Sequence, residues 1–385
     1  MPELPEVETV VSELNHKLKG KTVRSVSVLR AKIVSLGPDT VSNIRRAGNS
    51  TAKSFAQKIK GQKIKSVSRR AKLLIFKFYP ATANIRNLTP NPSPLSPFLI
   101  SLPRHGEMSR RDREVEPLEL PLIRPRATFP LKGEGNNESY AERVAGDQVR
   151  LEVAEAGECL FLLVHLKMTG QFIYLKKSEL DKKIRIVNKI NAAPVSLPAK
   201  HTHVVFTFTD GAKLFYNDVR QFGYLKLITD EQLSRVKEFA DFGPEPLDKK
   251  FTLPAFFTVV KKAGNRKTPI KTLLMDSTFI SGIGNIYSDE ILFRARISPS
   301  RRIRSFKSAE INVLYRAIRF VLKKGIAAHG SSVGDFIRTD GSFGTMGKYH
   351  FVYGRAGESC KVCGTIIKSE KFGGRTGSYC PKCQK

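Results

Sequence analysis

No stretch of 18 or more apolar residues occurs in these 385 residues; the densest run, Cys159–Leu166, has the length of a strand. The sequence therefore offers no membrane-spanning helix. The opening residues, MPELPEVETVV, hold neither a basic segment nor an apolar core, so they do not read as a secretory signal. A soluble, cytoplasmic protein with no membrane partner is expected. Tryptophan is absent, which decides nothing. Acidic residues are scarce: 35 Asp+Glu face 66 Lys+Arg, a formal net charge of +31. Such an excess repels itself in a fold and points to a polyanionic partner. Nucleic acid comes first, and charge alone also admits an anionic membrane surface or ribosomal RNA. The length predicts two or three domains with real cores.

Cysteine is also sparse, and its placement is informative. Four of the five fall at Cys360, Cys363, Cys380 and Cys383. Two Cys-x2-Cys pairs separated by 16 residues match a four-thiolate zinc ribbon. Each pair places two sulfurs on one side of a tetrahedral Zn²⁺, and the segment between them can turn at Gly373–Gly374 or at Gly377. Four thiolates leave no open position, so one structural ion is predicted. The intervening Lys368, Lys371 and Arg375 make this hairpin a DNA-contacting finger in prospect. Cys159, alone in an apolar run, reads as a buried core thiol.

The rest of the chain divides by pattern. Val7, Val10, Val11, Leu14 and Leu18 recur at helical spacing, and Pro5 suits a first turn. Strand-like runs follow at 23–28, 63–67, 72–78, 159–166, 172–175, 203–208 and 213–217, with a hairpin turn at Asp210–Gly211. Residues 79–157 differ. Nine of the 21 prolines lie between Pro90 and Pro130, and residues 81–150 carry 10 Lys+Arg against 9 Asp+Glu, close to neutral. A disordered insertion interrupting a hairpin is predicted there. From about 229 the spacing turns helical, near 230–240, 254–262, 268–277, 284–294 and 307–328. Gly243-Pro-Glu-Pro246 marks the boundary.

Several segments carry chemistry. Removal of Met1 would expose the secondary amine of Pro2 just ahead of the helix. An α-amino group titrates at roughly 7.7–8.0, so part of it is neutral at physiological pH and able to attack an anomeric carbon. Glu3 and Glu6 stand ready to move protons beside it. Alone, this segment reads more readily as an ordinary helix start. Ser68-Arg-Arg-Ala-Lys-Leu73 reads as a basic turn, with Lys72 at its end. Met168 ends a strand ahead of Gly170. Arg220 and Phe222 lie two apart, on one side of an extended chain, as a wedge filling the gap left by an extruded base requires. Gly282 and Gly284 admit a close backbone approach, and Asn285 opens the next helix, whose free N–H groups can receive a phosphate.

Taken in order, Pro2-Glu-Leu-Pro-Glu-Val-Glu-Thr9, Arg69-Arg-Ala-Lys72, His165-Leu-Lys-Met-Thr-Gly170, Lys200-His-Thr-His203, Asn217-Asp-Val-Arg-Gln-Phe-Gly223, Gly243-Pro-Glu-Pro-Leu247, Gly282-Ile-Gly-Asn-Ile-Tyr287, Tyr353-Gly-Arg-Ala-Gly357 and Gly373-Gly-Arg375 resemble the formamidopyrimidine-DNA glycosylase family from end to end. Only 79–157 and a shorter stretch near 176–198 fall outside. The resemblance implies an α+β fold: an N-terminal β-sandwich with a leading helix (1–228), a helix-two-turn-helix domain (229–348) and a C-terminal zinc-ribbon finger (349–385). It implies a monomeric enzyme on double-stranded DNA that excises oxidised purines and nicks abasic sites by β,δ-elimination. Pro2 becomes the nucleophile, Glu3 the main acid/base, Glu6 a supporting carboxylate and Lys72 a lysine at the lesion and its phosphate. Met168, Arg220 and Phe222 fill the gap, and His201, Lys271, Asn285 and Arg375 grip phosphates. Residues Ser331–Gly347 form the base-recognition loop.

The sequence departs from the family at Val219 and Gln221, where Pro and Arg are usual, at Lys167, where Gly is common, and in Gly341-Ser-Phe-Gly-Thr-Met-Gly347. Two alternatives stay open: a related glycosylase for oxidised pyrimidines, which Leu4 and Val7 disfavour, and a non-catalytic zinc-ribbon nucleic-acid binder, which leaves Pro2-Glu3 and Lys72 without a role.

Overall fold

The computed structural model describes residues 1–38, 47–80, 159–184, 194–334 and 336–385. The insertion expected at 79–157 lies outside the described residues except for Tyr79 and Pro80. Those two finish a strand, because their backbones still pair with Lys63 and Gln62.

Helix α1 (Leu4–Leu18) forms as the spacing predicts. Val7, Val10, Val11, Leu14 and Leu18 are all buried in the first core. Each such side chain contributes about 1.5–3 kcal/mol by leaving water. The helix lies beside β3 (Gln62–Arg70), where Asn15 Oδ1 accepts the Val67 N–H at 2.9 Å. Two sheets form the sandwich. One has the order β1 (Val23–Val28), β7 (Thr202–Phe208), β8 (Lys213–Asp218), β6 (Gly170–Leu175). The other runs β2 (Val34–Leu36), β9 (Tyr224–Thr229), β5 (Leu160–His165), β4 (Leu73–Pro80), β3. Phe76 and Phe172 meet edge-on at 5.6 Å between the sheets, and Phe172 meets Tyr216 at 5.3 Å. Strands β4 and β5 pair antiparallel, Phe78 opposite Leu160, so residues 81–158 do interrupt a hairpin.

Three elements went unread in the sequence. Helix α2 (Asn49–Ile59) buries only Ala52, Phe55 and Ile59, a weak signal among polar residues. Strand β2 has three residues, and β9 follows directly on the Arg220 turn. The expected helix at 230–240 is instead two single turns, Asp230–Leu233 and Lys237–Ala240. Val236 separates them in an extended conformation and buries its side chain.

The helical half holds α3 (Leu253–Ala263), α4 (Ile270–Met275), α5 (Asn285–Ala295) and α6 (Ser308–Ala327). Helix α5 is buried on almost every side, as befits the centre of a bundle. Leu4, the first residue of α1, belongs to this second core, and its N–H donates to Gly282 O at 2.9 Å. The leading helix therefore spans both cores. Strands β10 (Lys368–Phe372) and β11 (Arg375–Tyr379) form the C-terminal hairpin, turning at Gly373–Gly374 with positive φ at both. Among the described residues no helix is long and apolar enough to cross a membrane.

Candidate active site and metal centre

Pro2 is buried at the start of α1, behind a half-exposed Met1. Glu3 follows, and its carboxylate enters the N-terminus of α5. Oε2 accepts from Gly284 N at 2.7 Å and Tyr287 N at 3.2 Å, and Oε1 accepts from Ile286 N at 2.8 Å. The anion site predicted at this helix end exists, but a carboxylate of the chain fills it. Helix termini favour such a charge because their N–H groups lack intrahelical partners. Gly284 is obligatory here: a Cβ would lie 2.6 Å from Glu3 Oε1. Gly282, at φ +89, likewise has no room, since its Cβ would meet Leu4 at 2.8 Å.

Glu6 is also buried. It accepts Glu3 N at 2.9 Å, Tyr287 Oη at 2.7 Å and Ser331 N at 2.7 Å. Burial, then the nearby Glu3 charge, raise its pKa to about 7 despite those donors. Ser331 opens the expected recognition loop, so Glu6 joins the site to that loop.

Lys72 occupies the β3–β4 turn and donates to Ile283 O at 2.8 Å. Burial lowers its pKa; Glu3 and Glu6 oppose the shift, while Arg375 and Lys167 reinforce it. Lys72 thus feels the charges of Glu3 and Glu6 and that of Arg375, which is exposed at the finger tip.

The supposed basic turn before Lys72 needs correction. Arg69 and Arg70 belong to β3 and are buried. Arg69 Nε donates to Glu8 at 2.6 Å and Nη1 to Glu245 at 2.7 Å. Arg70 pairs with Glu245 at 3.1 Å and donates to Gly243 O at 2.8 Å. Glu245 also takes the N–H of Ala71, whose φ of +54 is left-handed. Burial disfavours the Arg69 charge, but Glu245 and Glu8 overcome it and raise its pKa. Glu8 and Glu245 are supporting residues that the sequence reading missed; only the Gly-Pro-Glu-Pro segment pointed to one of them.

Met168, Arg220 and Phe222 come together. Arg220 Nη1 lies 3.0 Å from Met168 Sδ, and its guanidinium sits 4.8 Å from the Phe222 ring centre. The expected reason differs, because β8 ends at Asp218 and the pair sits on a turn with Gln221 left-handed at φ +55. Asp218 builds that turn by accepting Arg220 N at 3.2 Å and Gly223 N at 2.8 Å. His201 is half-buried just before β7, and Asn285 keeps a buried Oδ1 with no hydrogen-bond partner among the described residues.

Lys271 does not match its expected place as a phosphate grip. It is fully buried, with Nζ 2.5 Å from Asp289 and 3.1 Å from Ser288 Oγ. Asp289 also accepts Ser378 N at 2.9 Å. Lys271 therefore braces the finger against α4 and α5. Neighbouring Glu290 accepts the N–H groups of Phe351, Val352 and Tyr353 at 2.9–3.0 Å.

The four tail cysteines converge, with their Sγ atoms within 4.8 Å of one another. Cys363 and Cys380 are 3.5 Å apart, Cys360 and Cys383 4.0 Å. A tetrahedron with Zn–S bonds of about 2.3 Å has edges of roughly 3.8 Å, so the thiolate set fits the ion.

Comparisons with known proteins agree along the chain. The family model of the formamidopyrimidine-DNA glycosylase N-terminal domain matches residues 1–86 and 134–225. That of the formamidopyrimidine-DNA glycosylase H2TH domain matches 242–336, and that of a zinc finger found in FPG and IleRS matches 357–385. A formamidopyrimidine-DNA glycosylase of Heliobacterium modesticaldum is 38% identical over 70% of this chain and 92% of its own length. One from Nitratidesulfovibrio vulgaris is 32% identical over the whole of both chains. Among solved structures, Lactococcus lactis Fpg in complex with abasic-site DNA is 25% identical, covering 100% of this chain and 99% of its own, with a TM-score of 0.64. MutM in complex with DNA containing carbocyclic 8-oxo-G is also 25% identical, with full coverage of both and a TM-score of 0.63. Cys360, Cys363, Cys380 and Cys383 are the ligands of one structural Zn²⁺. The chain belongs to the formamidopyrimidine-DNA glycosylase family, DNA glycosylases that serve DNA repair.

Proposed function

We propose that this protein excises oxidised purines from double-stranded DNA and then cuts the strand at the resulting abasic site, in the bacterial cytoplasm and as a monomer. The observation that carries the reading is the meeting of Pro2, Glu3, Glu6 and Lys72 at the N-terminus of α5. Once Met1 is removed, the neutral amine of Pro2 attacks C1′ of the damaged nucleotide. The C1′–N bond breaks, and the base leaves with the electron pair and takes up a proton. The proton shed by the Pro2 nitrogen passes to Glu3, which delivers it to the sugar ring oxygen; the C1′–O bond breaks with its electron pair on oxygen, and Pro2 is held as an iminium. Loss of a C2′ proton to a base sends electrons into that iminium and the enamine formed expels the 3′ phosphate with its electron pair (β-elimination); loss of a C4′ proton then expels the 5′ phosphate in the same way (δ-elimination). Glu6 keeps the Glu3 backbone in place, and Lys72 steadies the phosphate beside the sugar. The Met168–Arg220–Phe222 cluster replaces the extruded base, and His201, Asn285 and Arg375 hold neighbouring phosphates. The domain limits that go with this reading are 1–228, 229–348 and 349–385.

Borohydride trapping on a duplex with 8-oxoguanine opposite cytosine, followed by sequencing of the adduct, tests it. A covalent complex through Pro2 is expected, with thymine glycol excised more slowly. A Pro2→Gly variant should still bind the duplex. Cleavage by that variant with no trapped adduct would overturn the role of Pro2.

A further inference from the structure

The stretch Ser331–Gly347, expected to read the damaged base, is tied to α1 at two places. Glu6 accepts Ser331 N at 2.7 Å, at its start. Further along the helix, Glu13 takes its middle. Glu13 Oε1 accepts Arg338 Nε at 2.6 Å, and Oε2 accepts Thr339 N at 3.1 Å together with the Thr339 hydroxyl. Residues six and thirteen stand two turns apart on one face of α1, roughly 10 Å along its axis. Glu13 lies beyond the motif that closes at Thr9.

The Glu13 contact is enclosed. Thr339 is fully buried, and Lys17 Nζ donates to its hydroxyl oxygen at 2.6 Å. The Thr339 carbonyl accepts Tyr174 N at 2.9 Å, on the outer edge of β6. Ile337 packs with Ile173 and Phe215. A tight turn follows, in which Arg338 N donates to Ser342 O at 2.9 Å and Asp340 accepts Ser342 N at 2.9 Å. The segment then returns to its own start: Gly344 N donates to Ser332 Oγ at 2.8 Å, and Met346 N to Gly330 O at 3.0 Å. Phe343 is left 40% exposed between the turn and this closure. It stands next to the residues that Glu6 joins to Glu3.

A segment anchored before its ligand arrives has already lost the conformational freedom that binding would otherwise cost. We infer that Glu13 is a positioning residue for base recognition, which fixes residues 336–343 so that Phe343 and its neighbours meet the extruded base in a preset place. The inference rests on the proposed function, since it takes a damaged base as the ligand.

The test uses the full chain and its Glu13→Ala and Glu13→Gln variants. Alanine is favourable within a helix, so Glu13→Ala should keep the fold by circular dichroism. Single-turnover excision of 8-oxoguanine is measured against nicking of a preformed abasic site, which offers no base to read. The ratio of the two rates should fall about tenfold in Glu13→Ala, the worth of one charge-assisted hydrogen bond. Hydrogen exchange in peptides covering 337–343 should quicken in the same variant. Glu13→Gln keeps an acceptor for Thr339 N and should regain part of the ratio. An unchanged ratio in Glu13→Ala overturns the inference. So does an equal loss of both rates, which would make Glu13 a general support of the fold. A lower ratio with unchanged exchange also overturns it, because the segment would then not be held by Glu13. A parent that leaves 8-oxoguanine in place would sink the proposed function and the inference with it, whereas failure of the inference alone shows only in the variants.

Discussion

Replacing Gly284 by alanine should break the seat of Glu3. The new Cβ would lie 2.6 Å from Oε1 and 2.8 Å from Cγ of Glu3. Real side chains do not approach so closely, so the carboxylate must leave or the first turn of α5 must shift. Either movement disrupts hydrogen bonds from Gly284, Ile286 and Tyr287. A hydrogen bond to a charged group stabilises by about 1.5–3 kcal/mol. Losing two of the three costs about 3–6 kcal/mol on that basis. The proposed acid/base is displaced as well, which removes a contribution of roughly 10²- to 10⁴-fold to the rate. Far-UV circular dichroism in a urea titration reads the first effect, and single-turnover excision of 8-oxoguanine reads the second. Gly48→Ala is the control, since a Cβ there meets nothing within 4 Å and the loss of a glycine N-cap costs about 1 kcal/mol or less. If Gly284→Ala matches Gly48→Ala in both assays, the carboxylate seat does not support the site as argued.

Glu6 makes a pH prediction. Its pKa rises from 4.5 to about 7 in the fold, so the folded chain holds a proton that the unfolded chain releases. The stability it contributes is complete below pH 4.5 and is lost as pH rises through 7, about 3 kcal/mol in all. A Glu6→Gln variant should lack that slope, and parallel pH–stability curves for the two proteins would refute the assignment. Glu245→Ala strands Arg69, Arg70 and the Ala71 N–H and should destabilise by about 3–5 kcal/mol; a loss below about 1 kcal/mol in urea would show that the network relaxes. Cys380→Ser should abolish stoichiometric zinc by mass spectrometry and weaken DNA binding, and retained zinc would count against the ligand set. Joining Pro80 to Cys159 through a four-residue turn should preserve the melting temperature, because Phe78 and Leu160 already pair; a collapse of the fold would show that residues 81–158 support it.

Much of this fold was legible wherever partners lie close in sequence. Helix α1, the 213–217 hairpin arm and the zinc ribbon each declare themselves through spacing within a short window. The misreadings share the opposite property. Arg69 and Arg70 look solvated until Glu8 and Glu245 appear, 61 and 176 positions away from Arg69. The N-terminus of α5 looks open to a phosphate until Glu3 arrives from 281 positions away. Lys271 looks available until Asp289, one helix further on, takes its ammonium. Local pattern specifies a turn or a helix, but it cannot say which distant carboxylate neutralises a cation. Family resemblance brought Pro2, Glu3, Glu6 and Lys72 together as a group, which spacing alone could not do.

The reach from Glu3 to Gly284 also sets an order of events during synthesis. Glu3 leaves the ribosome 281 residues ahead of its partner, an interval on the order of tens of seconds at 5–20 residues per second. Once β9 has emerged the sandwich can collapse around α1, yet the carboxylate still has no helix end to enter and Leu4 has no core to join. The seat of Glu3 forms only when α5 is complete, so a chain cut short before Asn285 carries the carboxylate without the helix end that holds it.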